Sequence, residues 1–156
     1  MAARTAMRFP FMSFPSNDPV VCRHGHVALA SQPREADLDS WAGDGVALVV
    51  NSRTPEETAA LPFNLADAVA SRGMQYVELP IGGPWGASPE LTVRLGALLA
   101  AHPDSGIVLH CRSGTRSAHL YAAWLIQTGE VPETVFETMG WPGSRDMALV
   151  QALLPL

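Results

Sequence analysis

The sequence contains no lysine, so its ten permanently charged basic residues are all arginine. A chain without lysine cannot form a Schiff base through its side chains or use a lysine nucleophile. Any anion that it binds is held by arginine, by histidine or by backbone N–H groups. The formal net charge of −5 also predicts that neither nucleic acid nor an anionic membrane is a general partner.

Cysteine is almost as scarce. Cys22 and Cys111 are too few for a disulfide framework or a four-cysteine zinc site, and free thiols suit the reducing cytoplasm, which is the predicted location. The spacing of Cys22, His24 and His26 resembles half of a metal site, but three ligands interrupted by a glycine favour no metal, and no cofactor is expected. Cys22 is alternatively a resolving thiol for oxidised Cys111.

Long hydrophobic runs are also missing, since none reaches the ~18–20 residues that cross a bilayer. Pro10 and Pro15 interrupt the N-terminus before a signal-peptide core of about 7–15 residues can form. We expect an irregular arm at residues 1–19 that docks on the domain, or on a second copy of the chain to give a homodimer. A disordered tail is the equal alternative. The arm would dock through its phenylalanines, which are Phe9, Phe11 and Phe14.

Residues 20–156 are predicted to form a single domain. Apolar and β-branched runs predict strands at "VALVVN" (46–51), "MQYVELPI" (74–81) and "GIVLH" (106–110). The stretch "VVCRHGHVAL" predicts a hairpin with Gly25 in the turn.

Helical segments separate these strands. Pro33 is predicted at the first position of a helix that ends at Gly43, Asn64 is predicted to cap a second helix, and Ser88 a third. "SAHLYAAWLIQTG" follows the last strand as a helix, two short helices end the chain, and "SRTPEETAALPF" is predicted to be an irregular connection. This alternation predicts an α/β fold with a mostly parallel central sheet and helices on both faces. Ligands of such sheets bind beyond the carboxyl ends of the strands.

The stretch "HCRSGTRS" (110–117) lies at one such end. A turn between the strand "GIVLH" and the next helix directs successive N–H groups inward as an anion cradle, and glycine allows the tight curve. The helix N-terminus adds a partial positive charge. Arg112, Ser113, Gly114 and Thr115 are therefore predicted to bind an anionic substrate.

Cys111 stands at the base of this cradle, where amides, helix dipole and arginine are expected to stabilise its thiolate. Arg116 can bind a tetrahedral oxyanion with two hydrogen bonds, Ser117 can donate to the thiolate or to a leaving sulfur, and His110 is expected to organise the loop. The pattern predicts nucleophilic attack by Cys111 on a bound oxyanion or sulfane sulfur. The alternatives are packing for Cys111, a surface ion pair for Arg116 and a solvent-facing side chain for Arg112.

Residues 110–117 resemble the signature of cysteine-dependent phosphatases of the protein-tyrosine and dual-specificity type, where His-Cys opens a loop closed by Arg and then Ser or Thr. They also resemble the loop Cys-Arg-x-Gly-x-Arg of rhodanese-type sulfurtransferases. "ALASQP", "VALVVNSR" and "VLHCRSGTRSAHLYAAW", in that order, are similar to the small bacterial phosphatase-like domain family that is also fused to beta-lactamase-hydrolase-like proteins. This resemblance covers residues 27–130. It implies a cysteine-dependent phosphatase-like fold with either phosphatase or sulfurtransferase activity.

The sequence departs from the usual phosphatase pattern in two places. Four residues separate Cys111 from Arg116 where that pattern has five, and "PIGGPWGAS" (80–88) has no carboxylate where those enzymes carry the aspartate that protonates the leaving alcohol. Loss of a general acid typically costs ~10²–10⁴ in rate. Both departures favour transfer of sulfur from a sulfane donor. The fold resemblance and His110 favour a weak phosphatase that acts on a phosphate ester through a phosphocysteine.

Other candidate residues are less specific. The resemblance suggests that Asn51 and Arg53 lie beside the cradle and bind substrate, with capping or loop bracing as the equal alternative, and Gln32 is a weaker candidate for the mouth. Asp146 is a displaced proton donor in one minor hypothesis. Trp85 is expected in the core rather than against an aromatic substrate. A non-enzymatic anion-binding or redox-sensing module is the third functional hypothesis.

Overall fold

The computed structural model describes residues 18–155. The predicted arm lies outside these residues except for Asp18 and Pro19. Its docking through Phe9, Phe11 and Phe14, and the homodimer that such docking would form, therefore stay predictions.

A five-stranded sheet forms the centre of the molecule, with the strands in the order β1-β2-β5-β3-β4. The hairpin strand β1 pairs antiparallel with β2, and every other pairing is parallel. The predicted mostly parallel sheet and the predicted hairpin are confirmed. The strands are β1 (Val20–His24), β2 (Val27–Ala30), β3 (Val46–Asn51), β4 (Gln75–Glu78) and β5 (Gly106–His110).

Helices cover both faces of this sheet, as predicted. Because successive strand residues point to opposite faces, Ile107 and Leu109 of β5 pack into one core cluster and Val108 packs into the other. Both faces of the central strand are thus buried, which explains its continuous apolar run. The helices are α1 (Glu35–Gly43), α2 (Pro55–Ala59), α3 (Leu65–Ala70), α4 (Pro89–Ala101), α5 (Thr115–Gln127), α6 (Val135–Met139) and α7 (Met147–Leu153).

Two helix predictions need correction. The first helix starts at Glu35 and not at Pro33, because Arg34 is the N-cap and its backbone N–H donates to the Asp37 carboxylate at 2.8 Å. The segment "SRTPEETAALPF" contains α2 and is not an irregular connection. Its start is a capping box in which Thr54 Oγ1 accepts from the Glu57 N–H and the Glu57 carboxylate accepts from the Thr54 N–H.

The sheet register fixes the position of the candidate site. His110, the last residue of β5, is level with Ala30 of β2 on one side and Asn51 of β3 on the other. The loop that follows His110 therefore emerges at the carboxyl ends of three parallel strands, where ligands of such sheets bind. Between residues 18 and 155, no helix is both long enough and apolar enough to span a membrane.

Candidate active site

The loop from Cys111 to Gly114 connects β5 directly to α5. Gly114 is the N-cap of α5 and has a φ of 94°, which side chains of L-residues rarely tolerate. A Cβ at this position would lie 3.2 Å from the Trp141 ring and 3.3 Å from the Ala30 carbonyl oxygen. Both the backbone angle and the close packing therefore require glycine, as the sequence predicted.

Cys111 lies at the base of the loop, with 0% of its surface exposed. Its Sγ accepts a hydrogen bond from the Gly114 N–H at 3.2 Å. Among residues 18–155, no backbone carbonyl accepts from the amides of Arg112 or Ser113. Thr115 and Arg116 begin α5, where the first N–H groups have no partner within the helix. The loop thus surrounds a buried sulfur with amides that an anion can use.

The Arg116 guanidinium is held by a bidentate ion pair with Glu57. Its Nη1 and Nη2 donate to the two Glu57 carboxylate oxygens at 2.8 and 3.0 Å, and Nη1 also donates to the Ile81 carbonyl at 2.9 Å. The hydrogen bonds from Arg116 lower the pKa of Glu57 to about 2. The pKa of Arg116 is raised, first by Glu57 and to a lesser extent by the Cys111 sulfur.

This ion pair leaves one edge of Arg116 for a ligand. Arginine has five N–H donors, and Glu57 and Ile81 use three of them. The other two, on Nε and Nη2, lie on the same edge of the planar group and match two oxygens of an oxyanion. Glu57 therefore orients Arg116 and does not use up its anion-binding capacity.

Arg53 and Gln32 extend the same network. Arg53 Nε lies 3.6 Å from Glu57 Oε2, and Arg53 Nη1 donates to Gln32 Oε1 at 2.9 Å. The Gln32 backbone N–H donates to the Arg112 carbonyl at 3.1 Å, so this network of contacts ends on the nucleophile loop itself. Glu57 was not predicted from the sequence, although the "TPEE" capping box was a readable signal for its position.

Asn51 braces the network from beneath. Its Nδ2 donates to Thr58 Oγ1 at 2.8 Å and to the Tyr76 hydroxyl at 3.0 Å, and its Oδ1 accepts from the Arg53 N–H at 2.9 Å. These contacts give Asn51 the loop-bracing role that was one of its two predicted alternatives. Direct substrate binding by Asn51 or Arg53 stays a prediction.

His110 and Ser117 are fully buried on either side of the loop. Burial lowers the pKa of His110 to about 4, so the imidazole is neutral at physiological pH. Its Nδ1 lies 3.4 Å from the Cys111 carbonyl oxygen. Within the described part of the chain, His110 Nε2 and Ser117 Oγ have no hydrogen-bond partner. An unpaired buried polar group typically costs about 1–3 kcal/mol, so each atom would be stabilised by a hydrogen-bond partner.

The remaining loop side chains face outward. Arg112 and Ser113 are exposed, and Ser113 Oγ lies 3.0 Å from Thr115 Oγ1. Of the two predicted alternatives for Arg112, substrate binding and a solvent-facing side chain, this exposure agrees with the second. The loop therefore offers amides at its centre, one arginine edge at its side and a second arginine outside.

Cys22 does not lie close enough to Cys111 for a disulfide. Cys22 pairs with Leu29 of β2, Leu29 pairs with Leu109 of β5, and Cys111 follows two residues later. Two strand spacings alone separate the Cα atoms by about 10 Å, whereas a disulfide requires less than ~7 Å. The resolving-thiol hypothesis is therefore wrong for this conformation.

The half metal site has a different explanation. His24 Nδ1 lies 2.6 Å from the Tyr121 hydroxyl, and burial raises the pKa of the Cys22 thiol. No group of three or more histidine, cysteine or acidic side chains in residues 18–155 is placed to hold a metal ion.

Two further predicted residues differ in outcome. Trp85 is 50% exposed, so its predicted burial in the core is wrong. Its Nε1 donates to Glu56 Oε1 at 3.3 Å. Asp146 is the N-cap of α7 and accepts from the Ala148 and Leu149 N–H groups. This capping role accounts for Asp146 without a catalytic one.

Comparisons with known proteins agree with the predicted resemblance. Residues 22–129 match the family model for the phosphatase-like domain of beta-lactamase hydrolase-like proteins. Beta-lactamase hydrolase-like protein from Xylella fastidiosa strain Temecula1 is 27% identical over 116 residues, or 73% of this chain. The match covers 26% of the Xylella protein, so this chain corresponds to about a quarter of that relative.

Solved structures show the same fold. A protein from Shewanella putrefaciens CN-32, described as a phosphatase of the DUF442 group, superposes with a TM-score of 0.70 at 21% identity and covers 87% of this chain and 86% of its own. Kinase-associated phosphatase, in a form whose catalytic-site cysteine is replaced by serine, gives a TM-score of 0.73 at 14% identity and covers 88% and 94%. The predicted phosphatase-like fold is thus confirmed.

Proposed function

Because the chain belongs to the phosphatase-like domain family of beta-lactamase hydrolase-like proteins, we propose that it is a cysteine-dependent phosphatase that hydrolyses phosphate esters. The observation that carries the proposal is the set of groups around one sulfur. Cys111 Sγ accepts from the Gly114 amide at 3.2 Å, and the pKa of Arg116 is raised in part by its interaction with that sulfur.

The reaction begins with a phosphate ester in the loop. Loop amides and the free edge of Arg116 bind its non-bridging oxygens, and the negative charge that develops in the transition state stays in contact with the same donors. The Cys111 thiolate attacks phosphorus, the bond to the ester oxygen breaks and a phosphocysteine forms. Water then attacks phosphorus, the S–P bond breaks and phosphate is released.

Ser117 and His110 have supporting roles in this proposal. The unpaired Ser117 hydroxyl donates to the sulfur as it leaves in the second step, when its negative charge returns. His110 stays neutral and buried at the end of β5, and it fixes the entry of the loop rather than exchanging a proton.

The first experiment compares the wild type with Cys111→Ser and Cys22→Ser. The wild type and Cys22→Ser are expected to hydrolyse 2,4-dinitrophenyl phosphate, and Cys111→Ser is expected to fall to background. Acid quenching during turnover should trap a phosphoryl adduct on the peptide that contains Cys111. Turnover that persists in Cys111→Ser, or that leaves no such adduct, would contradict the proposal.

Sulfur transfer is the second candidate function, and one observation favours it. Only four residues separate Cys111 from Arg116, which gives a smaller ring than the usual phosphatase loop and a cradle suited to a single sulfur. Incubation with thiosulfate would then leave one extra sulfur atom on Cys111 in an intact-mass spectrum, and cyanide would remove that atom as thiocyanate. A protein that binds phosphate but gives neither adduct would be an anion-binding module without turnover.

A further inference from the structure

A cavity of about 640 Å³ opens beside Arg116, and the proposed reaction has so far assigned no role to it. Its walls come from the start of α2 and from the glycine-rich loop, and they include Glu56, Glu57, Gly82 and Gly83. A phosphate held by Arg116 has this space next to it. The cavity is therefore the place for the organic part of a phosphate ester.

The two adjacent carboxylates in this cavity have different hydrogen-bond partners. Glu57 is held by both Nη atoms of Arg116, and the pKa of Glu57 is about 2, so it stays ionised and cannot donate a proton. Glu56 is exposed, and its Oε1 accepts from the Trp85 indole N–H at 3.3 Å. Within residues 18–155 this is the one hydrogen bond to the Glu56 carboxylate, so its second oxygen is open to a substrate.

Two other acidic side chains of this part of the molecule have partners of their own. Asp146 caps α7, and the Tyr76 hydroxyl donates to Glu78 at 2.7 Å on the far side of α2. Residues 80–88 contain no carboxylate. Among the described residues that line the cavity beside Arg116, Glu56 and Glu57 are the acidic ones.

We propose that Glu56 is the general acid of this site, placed on α2 instead of on the loop between β4 and α4, and that Trp85 positions it. The inference rests on the proposed phosphatase function. As Cys111 Sγ attacks phosphorus and the P–O bond breaks, the proton of the Glu56 carboxyl moves to the leaving oxygen and an alcohol or phenol departs. The Glu56 carboxylate then takes a proton from the water that attacks the phosphocysteine, which restores both the acid and the thiolate.

Trp85 connects the two walls of the cavity. The indole N–H of Trp85 belongs to the glycine-rich loop and Glu56 belongs to α2, so their hydrogen bond ties the Glu56 carboxyl to the loop that forms the opposite wall of the cavity. Trp85→Phe keeps a smaller aromatic side chain and removes the indole N–H. It should therefore loosen Glu56 without changing the proton that Glu56 supplies.

The experiment measures kcat/KM, which reports the steps up to formation of the phosphocysteine, for two esters with the wild type, Glu56→Gln, Trp85→Phe and the control Glu133→Gln, whose side chain is exposed ahead of α6. Phenyl phosphate has a poor leaving group that needs a proton, and 2,4-dinitrophenyl phosphate has a good one that does not. Glu56→Gln should slow phenyl phosphate by about 10²–10⁴-fold and the dinitrophenyl ester by only a few-fold. Trp85→Phe should show the same leaving-group dependence to a smaller extent, and Glu133→Gln should behave as wild type.

The outcomes separate this inference from the function on which it rests. An equal loss on both esters, or no loss on either, in Glu56→Gln would overturn the role of Glu56 and leave the phosphatase intact. A dinitrophenyl ester that the wild type itself does not hydrolyse would overturn both. If Trp85→Phe lowered the two rates equally, Trp85 would have a structural role only.

Discussion

The nucleophile loop at residues 111–116 and the glycine-rich loop at residues 82–86 border the same site, but the protein holds them in different ways. The first has its Cys111 and Gly114 buried, with Gly114 packed against Trp141 and the Ala30 carbonyl. The second contains a half-exposed Trp85 whose indole bonds to Glu56 on another element. One loop is packed against the core, and the other is held by its own backbone hydrogen bonds and by a surface contact.

This difference separates two parts of the proposed chemistry. The nucleophile and the oxyanion donors come from contiguous residues that the sheet and α5 hold rigidly, which suits a transition state that must be bound at fixed positions. The leaving-group side is assembled from α2 and the glycine-rich loop, where the walls can accept different organic groups. Substrate selectivity is therefore expected to depend on residues 82–86 and α2 more than on the nucleophile loop.

The largest expected effect is a loss of stability when a glycine of the nucleophile loop is replaced, compared with the same change in the glycine-rich loop. Gly114→Ala places a Cβ 3.2 Å from Trp141 at a φ of 94°, and should destabilise the protein by about 1–3 kcal/mol of backbone strain and a further 1–3 kcal/mol of crowding. Gly83→Ala has no atom within 4 Å of its Cβ and a φ of 53°, so about 1–2 kcal/mol is expected. Urea denaturation measures both. Equal losses would show that the two loops are held alike.

The same contrast explains how much could be predicted from the sequence. Cys111, Gly114 and Arg116 lie within six residues, so local spacing alone indicated the cradle and its position at a strand end. The mostly parallel sheet could also be predicted, because β3 and β5 are apolar on both faces and helical segments separate them. Each of these predictions rests on neighbours in the chain.

Glu57, Glu56 and Trp85 could not be assigned in this way. Glu57 is 59 residues from Arg116, and Glu56 is 29 residues from Trp85. Only the fold brings these pairs together, and the short helix that carries both glutamates has no apolar periodicity, since none of its residues is buried. Its capping box was the one local signal. Trp85 was predicted to be buried because aromatic size favours the core, but the glycines around it place it at the surface.

A smaller effect is expected from the residue that connects the two regions. Glu57→Gln removes the carboxylate that holds Arg116 at 2.8 and 3.0 Å, so the guanidinium loses its fixed orientation. We expect kcat/KM for 2,4-dinitrophenyl phosphate to fall by about 10- to 100-fold, since small misplacements of a positioning group cost this much. Glu133→Gln is the matched control. A higher kcat/KM in Glu57→Gln would instead mean that Glu57 competes with the substrate for Arg116.

Acid titration extends this test to stability. The pKa of Glu57 falls from 4.5 to about 2 on folding, so the unfolded chain binds a proton that the native state refuses between these values. The contribution of Glu57 is present above pH 4.5 and is lost as the pH falls towards 2. As the pH falls from 4.5 to about 2, the free energy of unfolding of Glu57→Gln should therefore decrease less than that of the wild type. Identical profiles would contradict the ion pair.

The smallest effect concerns the burial of the nucleophile loop itself. Burial lowers the pKa of His110 from 6.5 to about 4. Between these values the unfolded state binds a proton and the native state does not, so the free energy of unfolding should decrease as the pH is lowered from 6.5 to about 4. His110→Gln should lack this part of the decrease, whereas the exposed control His26→Gln should keep it. If His110→Gln followed the wild-type profile, water would reach the end of β5, and the nucleophile loop would be no more closed than the glycine-rich loop opposite.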